Sequence, residues 1–192
     1  MKKEKRLLAS YALVAAMLFV LAFNQYMIQS INGGLAVDRM SAAQENSGFE
    51  LPKGPPAIYG AELGVSFDKV VESLNVLSAL DGDLYPDGKL KFADLNNVQQ
   101  GRYLKIGSMI ACEFCCGAST LVFSDGQPAC GCSHSAAMRG LAKYLLINHG
   151  DEYTDQQILD ELTKWKTMFF PKQMAAKYAS DTKNVPDMVG GC

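Results

Sequence analysis

The chain has 192 residues, of which 48% are hydrophobic and 20% are charged, and its formal net charge is −2 at pH 7. This length suits one modest domain with appendages. Beyond the first six residues the sequence has no basic tract or basic face, which excludes a nucleic-acid-binding protein. No Ser-His-Asp order, phosphate-binding loop or carboxylate pair indicates a hydrolase or a kinase.

The N-terminus carries a long uncharged run. Residues 1–6 include four basic side chains, whereas residues 7–28 include no charged side chain. A helix over this run would be about 33 Å long, enough to cross the hydrocarbon core of a bilayer. A cleaved signal peptide usually has an apolar region of only about 7–15 residues. The run therefore predicts an uncleaved membrane anchor over residues 1–28.

The basic residues predict the orientation of this anchor. They precede the run, and the next basic residue after it is Arg39, so the positive-inside rule places the N-terminus in the cytoplasm. Residues 29–60 combine glycine, serine and proline, which is typical of a linker. The sequence thus predicts a single-pass protein of the cell membrane with an extracytoplasmic domain at residues 61–179.

Helical periodicity predicts that this domain is mainly α-helical. One predicted helix is capped by Ser66 and buries a stripe of Phe67, Val70, Val71, Leu74 and Leu77. A second helix is expected to begin at Asp94 as its N-cap and to run up to Cys112.

A third helix is expected to begin at Ser133 or Ser135 and to keep Arg139 and Lys143 on its solvent side. His149 stands in an Asn-His-Gly sequence that is typical of a helix end, which predicts a surface histidine.

Residues 154–157 form a capping-box sequence that predicts the start of a fourth helix. Its apolar face is predicted to contain Ile158, Leu162, Trp165 and Phe169. Pro171 should end this helix. Residues 180–192 are predicted to be a flexible tail, in which Cys192 is a free thiol without a designed role.

The segment from Asp83 to Asp94 resembles a calcium loop of the EF-hand type, with Asp83, Asp87 and Asp94 as candidate ligands. Tyr85 occupies the third loop position, where a carboxylate is expected. The sequence therefore favours a Pro-Asp-Gly turn between two short extended pieces over a calcium site.

The stretch from Cys112 to His134 holds most of the cysteines. Its candidate ligands are Cys112, Cys115, Cys116, Cys130, Cys132 and His134. Residues 120–123 suggest a short strand, and the following Asp-Gly pair is typical of a tight hairpin turn. Such a hairpin would fold the second cluster back beside the first, as in zinc ribbons and zinc knuckles.

A metal or redox role therefore explains the cluster better than packing does. The preferred ligand set is Cys112, Cys115, Cys130 and Cys132 around zinc, with His134 able to replace one thiolate and Cys116 able to compete with Cys115. Soft ligands at this density also suit Cu(I), and four thiolates could hold an iron–sulfur cluster.

A thiol–disulfide oxidoreductase is the alternative, with Cys112 and Cys115 as a C-x-x-C catalytic pair. Short-loop disulfides Cys112–Cys115 and Cys130–Cys132 are both compatible with the spacing. The vicinal Cys115 and Cys116 are not expected to pair with each other.

Residues 112–165 resemble the CcmH-type thiol-reductase domain of cytochrome c maturation. The matching pieces are Cys112 and Cys115, the sequence Ala-Ala-Met-Arg at residues 136–139, and Gly150 followed by residues 155–159. The resemblance implies a small three-helix domain in which Cys112 and Cys115 are the redox pair. The Cys-rich stretch is also similar to secreted PCYCGC-type cysteine proteins.

Together these observations predict a mainly α domain with a small Cys-rich β-hairpin, behind a single N-terminal transmembrane helix. The predicted function is a structural or metal-handling role through bound zinc. A docking subunit of a membrane complex, with a protein partner, is the third class of function. Whether the chain is an enzyme stays open.

Overall fold

A computed structural model describes residues 49–178, 182 and 185–190, together with Met17, Val20 and Phe23. The chain divides into two compact units, Met1–Gly48 and Phe49–Cys192. In the first unit the three described residues are helical, and their side chains are exposed. The second unit contains the cysteine-rich stretch.

The predicted membrane anchor is not supported. Within the part of the chain that the structure describes, no helix is both long enough and apolar enough to span a bilayer. The longest described helix has 16 residues, or about 24 Å, against a hydrocarbon core of about 30 Å. Apart from Met17, Val20 and Phe23, residues 7–28 lie outside the described residues. This finding contradicts the predicted single-pass anchor. The predicted extracytoplasmic location at the cell membrane depended on that anchor, so it is corrected as well.

The second unit is mainly α-helical, as predicted. Its helices in chain order are α1 (Gly60–Leu63), α2 (Val70–Ser78), α3 (Asn97–Met109), α4 (Ser133–Asn148), α5 (Asp155–Phe169) and α6 (Pro171–Tyr178), with a 3₁₀ turn at Phe92–Asp94.

Helix α4 forms the centre of the domain. It packs against α2, α3 and α5, and α6 packs against α5. Most residues of α4 are buried, and the surrounding core includes Leu77, Tyr103, Ile106, Leu162, Trp165 and Phe169. Because α4 begins directly after Cys132, the second cysteine cluster is attached to the most buried helix of the domain.

The sequence predicted the helix starts with unequal accuracy. At α5, the Thr154 hydroxyl accepts a hydrogen bond from the Gln157 amide at 3.3 Å, and the Gln157 side chain accepts one from the Thr154 amide at 2.8 Å. This capping box is the predicted one, and the predicted apolar face of α5 is fully buried. Helix α3, however, is capped by Asn96, because Asp94 closes the preceding 3₁₀ turn.

The predicted β-hairpin is wrong. The described residues form no β-strand, and Val122 and Pro128 make only an isolated antiparallel bridge. Ala129 N donates to Leu121 O at 3.1 Å, but the Leu121 amide donates to Gly107 O of α3 and not back to Ala129, so the ladder does not continue. The tight turn itself is present: Phe123 N donates to Gln127 O at 2.9 Å, and Gly126 has φ 84°. The chain therefore reverses as the Asp-Gly signal predicts, without a zinc-ribbon-like hairpin.

Candidate metal centre

The candidate ligands come from two segments, one after α3 and one at the start of α4. The first provides Cys112, Cys115 and Cys116, and the second provides Cys130, Cys132 and His134. The loop between them lies against α3, where Leu121 N donates to Gly107 O at 2.9 Å. A Cβ atom at Gly107 would lie 2.6 Å from the Val122 side chain. A glycine is therefore needed at this position of α3 for the loop to approach so closely.

The structure brings the six residues into two overlapping groups, in each of which the ligand atoms lie within 4.8 Å of one another. The first group is Cys112, Cys115, Cys132 and His134, and the second is Cys116, Cys130 and Cys132. Cys132 belongs to both. The predicted set of Cys112, Cys115, Cys130 and Cys132 does not form one group, because Cys130 lies with Cys116. These cysteine and histidine groups could hold a metal ion.

The cysteines differ in oxidation state. Cys112 and Cys132 are free thiols, whereas Cys116 and Cys130 form a disulfide. Cys115 is also disulfide-bonded. Among the described residues, the free pair is therefore Cys112 and Cys132, one from each cluster. The thiols available for metal or redox chemistry are not the predicted C-x-x-C pair.

Cys132 is the N-cap of α4, a position that the sequence assigned to Ser133 or Ser135. Its Sγ accepts a hydrogen bond from the Ser135 amide at 3.4 Å and lies 3.5 Å from Cys112 Sγ, with which it shares a hydrogen bond. The pKa of Cys132 is lowered, first by the hydrogen bond with Cys112 and then by His134 and Ser135. The same hydrogen bond and burial raise the pKa of Cys112. Cys132 is thus the sulfur that loses its proton first.

His134 is fully buried and its two ring nitrogens have different surroundings. Nε2 lies 2.7 Å from Val189 O. A carbonyl oxygen can only accept, so Nε2 carries a proton and donates it to this hydrogen bond. Among the described residues Nδ1 has no hydrogen-bond partner. His134 belongs to the group that contains both free thiols.

Two aromatic rings and the C-terminal segment fix the orientation of the His134 ring. The ring centroids of Phe169 and Phe170 lie 5.3 and 4.6 Å from that of His134. Val189 is held in turn by its amide, which donates to Phe169 O at 2.9 Å. A backbone carbonyl that accepts from the second nitrogen of a histidine is the usual way in which proteins set the tautomer of a metal ligand.

Two cations of α4 are buried under the site, contrary to the prediction that they face solvent. Arg139 and Lys143 are both fully buried. Arg139 Nε donates to Asp81 at 2.8 Å, and Lys143 Nζ donates to the other oxygen of Asp81 at 2.6 Å. Arg139 Nη1 also donates to Cys130 O at 2.9 Å. The ion network therefore holds the backbone of the second cysteine cluster.

Two of the three candidate calcium ligands, Asp83 and Asp94, have other partners. Asp83 accepts hydrogen bonds from Lys143 Nζ at 2.7 Å and from the Phe92 amide at 3.0 Å. Asp94 accepts from the Lys91 amide at 2.7 Å. Asp83, Asp87 and Asp94 are not among the groups of described residues that could hold a metal ion. A lysine ammonium occupies the position at Asp83 that a calcium ion would require.

Comparisons with protein-family models, with curated proteins and with solved structures found no match for this chain. The resemblance to CcmH-type thiol reductases therefore remains a prediction.

The sequence did not identify three groups that organise the site: the Val189 carbonyl, the Asp81 carboxylate and the Ser135 amide. The first two contact α4 from positions 55 and 58 residues away. One signal for the ion network was present, because Arg139 and Lys143 are four residues apart in a segment otherwise rich in small and apolar residues. Side chains four residues apart on a helix are neighbours, so both cations can reach the same partner.

Proposed function

We propose that this domain binds a soft transition-metal ion, with zinc as the first choice, through Cys112, Cys132 and His134. The observation that supports this most strongly is the unpartnered Nδ1 of His134. A buried imidazole nitrogen without a hydrogen bond loses its solvation by water and gains no partner, which is unfavourable unless another species occupies that position. A metal ion beside two thiols would satisfy that nitrogen.

The donor set supports zinc. Two thiolates and an imidazole are ligands that zinc prefers, and zinc commonly keeps a fourth position for water or another ligand. The lowered pKa of Cys132 favours metal binding at neutral pH, since the thiolate is the form that coordinates. Cu(I) is the second choice, because it also prefers soft sulfur ligands. An iron–sulfur cluster is disfavoured, since such clusters are usually held by four thiolates and the oxidised protein offers two free thiols among the described residues.

The fourth position has a candidate within the chain. The sulfur of Cys115 belongs to the same group as Cys112, Cys132 and His134. Because Cys115 is disulfide-bonded, it can coordinate only after reduction. The proposed site thus has three ligands in the oxidised protein and a closed tetrahedron of three sulfurs and one nitrogen in the reduced one.

A metal at this position would connect elements that are distant in sequence. It would join the segment after α3 to the first turn of α4, beside the buried rings of Phe169 and Phe170. Metal binding to the folded state alone adds to the free energy of unfolding, by about 2.7 kcal/mol at a free concentration of 100 times Kd. The proposed role is therefore structural as well as metal-holding.

Zinc titration of the full chain against a chromophoric chelator tests this proposal. We expect one tightly bound zinc ion per chain. His134→Ala and Cys132→Ser should each weaken binding by more than the roughly 10–100-fold that loss of an outer-shell partner costs. The matched control is His149→Ala, which removes a histidine outside both groups and should leave the affinity within about twofold. Cobalt(II) gives a second readout, a thiolate-to-metal absorption band that should weaken in Cys132→Ser, in which Cys112 is the one remaining thiolate of the proposed set.

Equal affinities for wild type, His134→Ala and Cys132→Ser would contradict the proposed ligand set. An equal loss in His149→Ala and His134→Ala would place the metal elsewhere.

A further inference from the structure

The proposed metal site shares one sulfur with a disulfide. Cys132 Sγ lies 3.5 Å from Cys112 Sγ and within 4.8 Å of both sulfurs of the Cys116–Cys130 disulfide. The same disulfide approaches Cys112, since Cys116 Sγ lies 3.5 Å from Cys112 O. Four sulfurs thus lie close together, and the free thiol of Cys132 is a neighbour of both the second thiol and the oxidised pair.

We propose that Cys132 exchanges with the Cys116–Cys130 disulfide, so that the oxidised pair can move to Cys112 and Cys132. The protein would then interconvert between a metal-binding disulfide isomer and a metal-free one. The part that concerns the metal rests on the proposed function, whereas the exchange itself depends only on the positions of the sulfurs.

The exchange proceeds in two steps. In the first, Cys132 loses its proton and its sulfur attacks Cys116 Sγ; the Cys116–Cys130 bond breaks, a Cys116–Cys132 bond forms, and Cys130 leaves as a thiolate that takes up a proton. Attack on Cys116 is favoured over attack on Cys130, because Cys130 and Cys132 are separated by a single residue and would close a very small ring.

In the second step, Cys112 loses its proton and its sulfur attacks Cys132 Sγ. The Cys116–Cys132 bond breaks, Cys112–Cys132 forms, and Cys116 leaves and takes up a proton. Two thiols and one disulfide are present before and after, so no external oxidant or reductant is consumed. The two sulfurs that must join start 3.5 Å apart, and a disulfide requires about 2.05 Å.

The two isomers differ in what they present. When the disulfide is at Cys116 and Cys130, both proposed thiolate ligands are free to bind the metal. When it is at Cys112 and Cys132, no thiolate of the proposed ligand set remains. Cys116, which is exposed, then carries a free thiol. A metal ion should therefore hold the protein in the first isomer by mass action.

Disulfide mapping of the full chain tests the exchange. The protein is isolated with zinc and without reductant, divided, and incubated anaerobically with zinc or with excess chelator before free thiols are alkylated under denaturing conditions. Cleavage after Lys105, Glu113 and Arg139 and before Asp125 separates Cys112, the pair Cys115 and Cys116, and the pair Cys130 and Cys132 into three fragments. The Cys116–Cys130 isomer then links the last two fragments, and the Cys112–Cys132 isomer links the first and the last.

We expect Cys116–Cys130 alone in the zinc sample and both isomers in the chelator sample. Free zinc at 100 times its Kd should lower the ratio of the Cys112–Cys132 isomer to the Cys116–Cys130 isomer by about 100-fold. Cys112→Ser should accumulate the Cys116–Cys132 intermediate, which links the same two fragments as Cys116–Cys130 but carries the alkyl group on Cys130 instead of Cys132. Cys132→Ser should keep Cys116–Cys130 under both conditions.

Two results would overturn the proposal. One is a chelator sample of the wild type that retains only Cys116–Cys130. The other is a zinc-independent mixture of isomers in protein that does bind zinc. These two results are distinguishable from failure of the proposed function. In that case zinc would not bind at all, whereas the exchange would still be observed in chelator.

Discussion

The buried ion network beneath the cysteines gives the largest expected effect of a single substitution. Asp81, Arg139 and Lys143 have fully buried side chains, and Asp81 accepts hydrogen bonds from both cations. The change Asp81→Asn keeps the shape of the side chain but removes the only carboxylate that pairs with Arg139 among the described residues. Lys143 would retain Asp83, whose side chain is 12% exposed. Arg139 would become a buried cation without a counter-ion.

Breaking a buried ion pair by removing one partner costs about 3–5 kcal/mol. For a domain of this size, that loss corresponds to a fall in the melting temperature of about 10 °C or more. Urea unfolding of the full chain, under the same metal conditions for every variant, measures the free energy directly. The control Asp160→Asn changes an exposed carboxylate that accepts from Gln156 at 2.8 Å and should stay within about 0.5 kcal/mol of wild type. A loss below about 1 kcal/mol for Asp81→Asn would refute this reasoning.

Two further predictions concern a buried hydroxyl and a histidine. The Tyr59 hydroxyl donates to Glu161 and accepts from Trp165 Nε1, each at 2.8 Å. Because Tyr59→Phe leaves the buried indole N–H unpaired, it should lower the free energy of unfolding in urea by about 1–3 kcal/mol. The control Tyr178→Phe, at an exposed tyrosine, should leave the free energy of unfolding almost unchanged. Equal losses of this free energy in the two variants would contradict the prediction. His149 contacts Glu152 and Glu62 at 2.8 and 2.9 Å, and its pKa is raised, first by the hydrogen bond to Glu152. Its stabilising contribution should therefore be complete below about pH 6.5 and be lost as pH rises through the folded-state pKa. The melting temperature of wild type should thus fall toward that of His149→Gln between pH 5.5 and 8.5, and a constant difference would contradict this.

What the sequence predicted well depends on contacts between near neighbours. The capping box at Thr154 and Gln157 spans three residues, and the apolar face that contains Trp165 is visible in one helical repeat. The closeness of the two cysteine clusters also followed from a local signal, since the Asp-Gly turn with Gly126 reverses the chain.

What the sequence predicted poorly depends on partners far away in the chain. Arg139 and Lys143 are ordinary surface residues by type, and only Asp81 and Asp83, about 60 residues earlier, make their burial favourable. The hairpin prediction failed for a similar reason, because the Leu121 amide donates to Gly107 O of α3 and not to the facing residue Ala129.

The ion network and the proposed metal site both contact the segment that leads into α4. Arg139 holds Cys130 through its backbone carbonyl, and Cys132 caps the helix two residues later. His134 follows in the first turn, with its ring fixed by Val189. His134 is thus held through Nε2, which leaves Nδ1 free for a metal ion, and the Cys132 sulfur is held in place by the Ser135 amide. Because those atoms do not have to move far to meet a metal ion, little ordering free energy is lost on binding, and a site with only three chain ligands can still be selective.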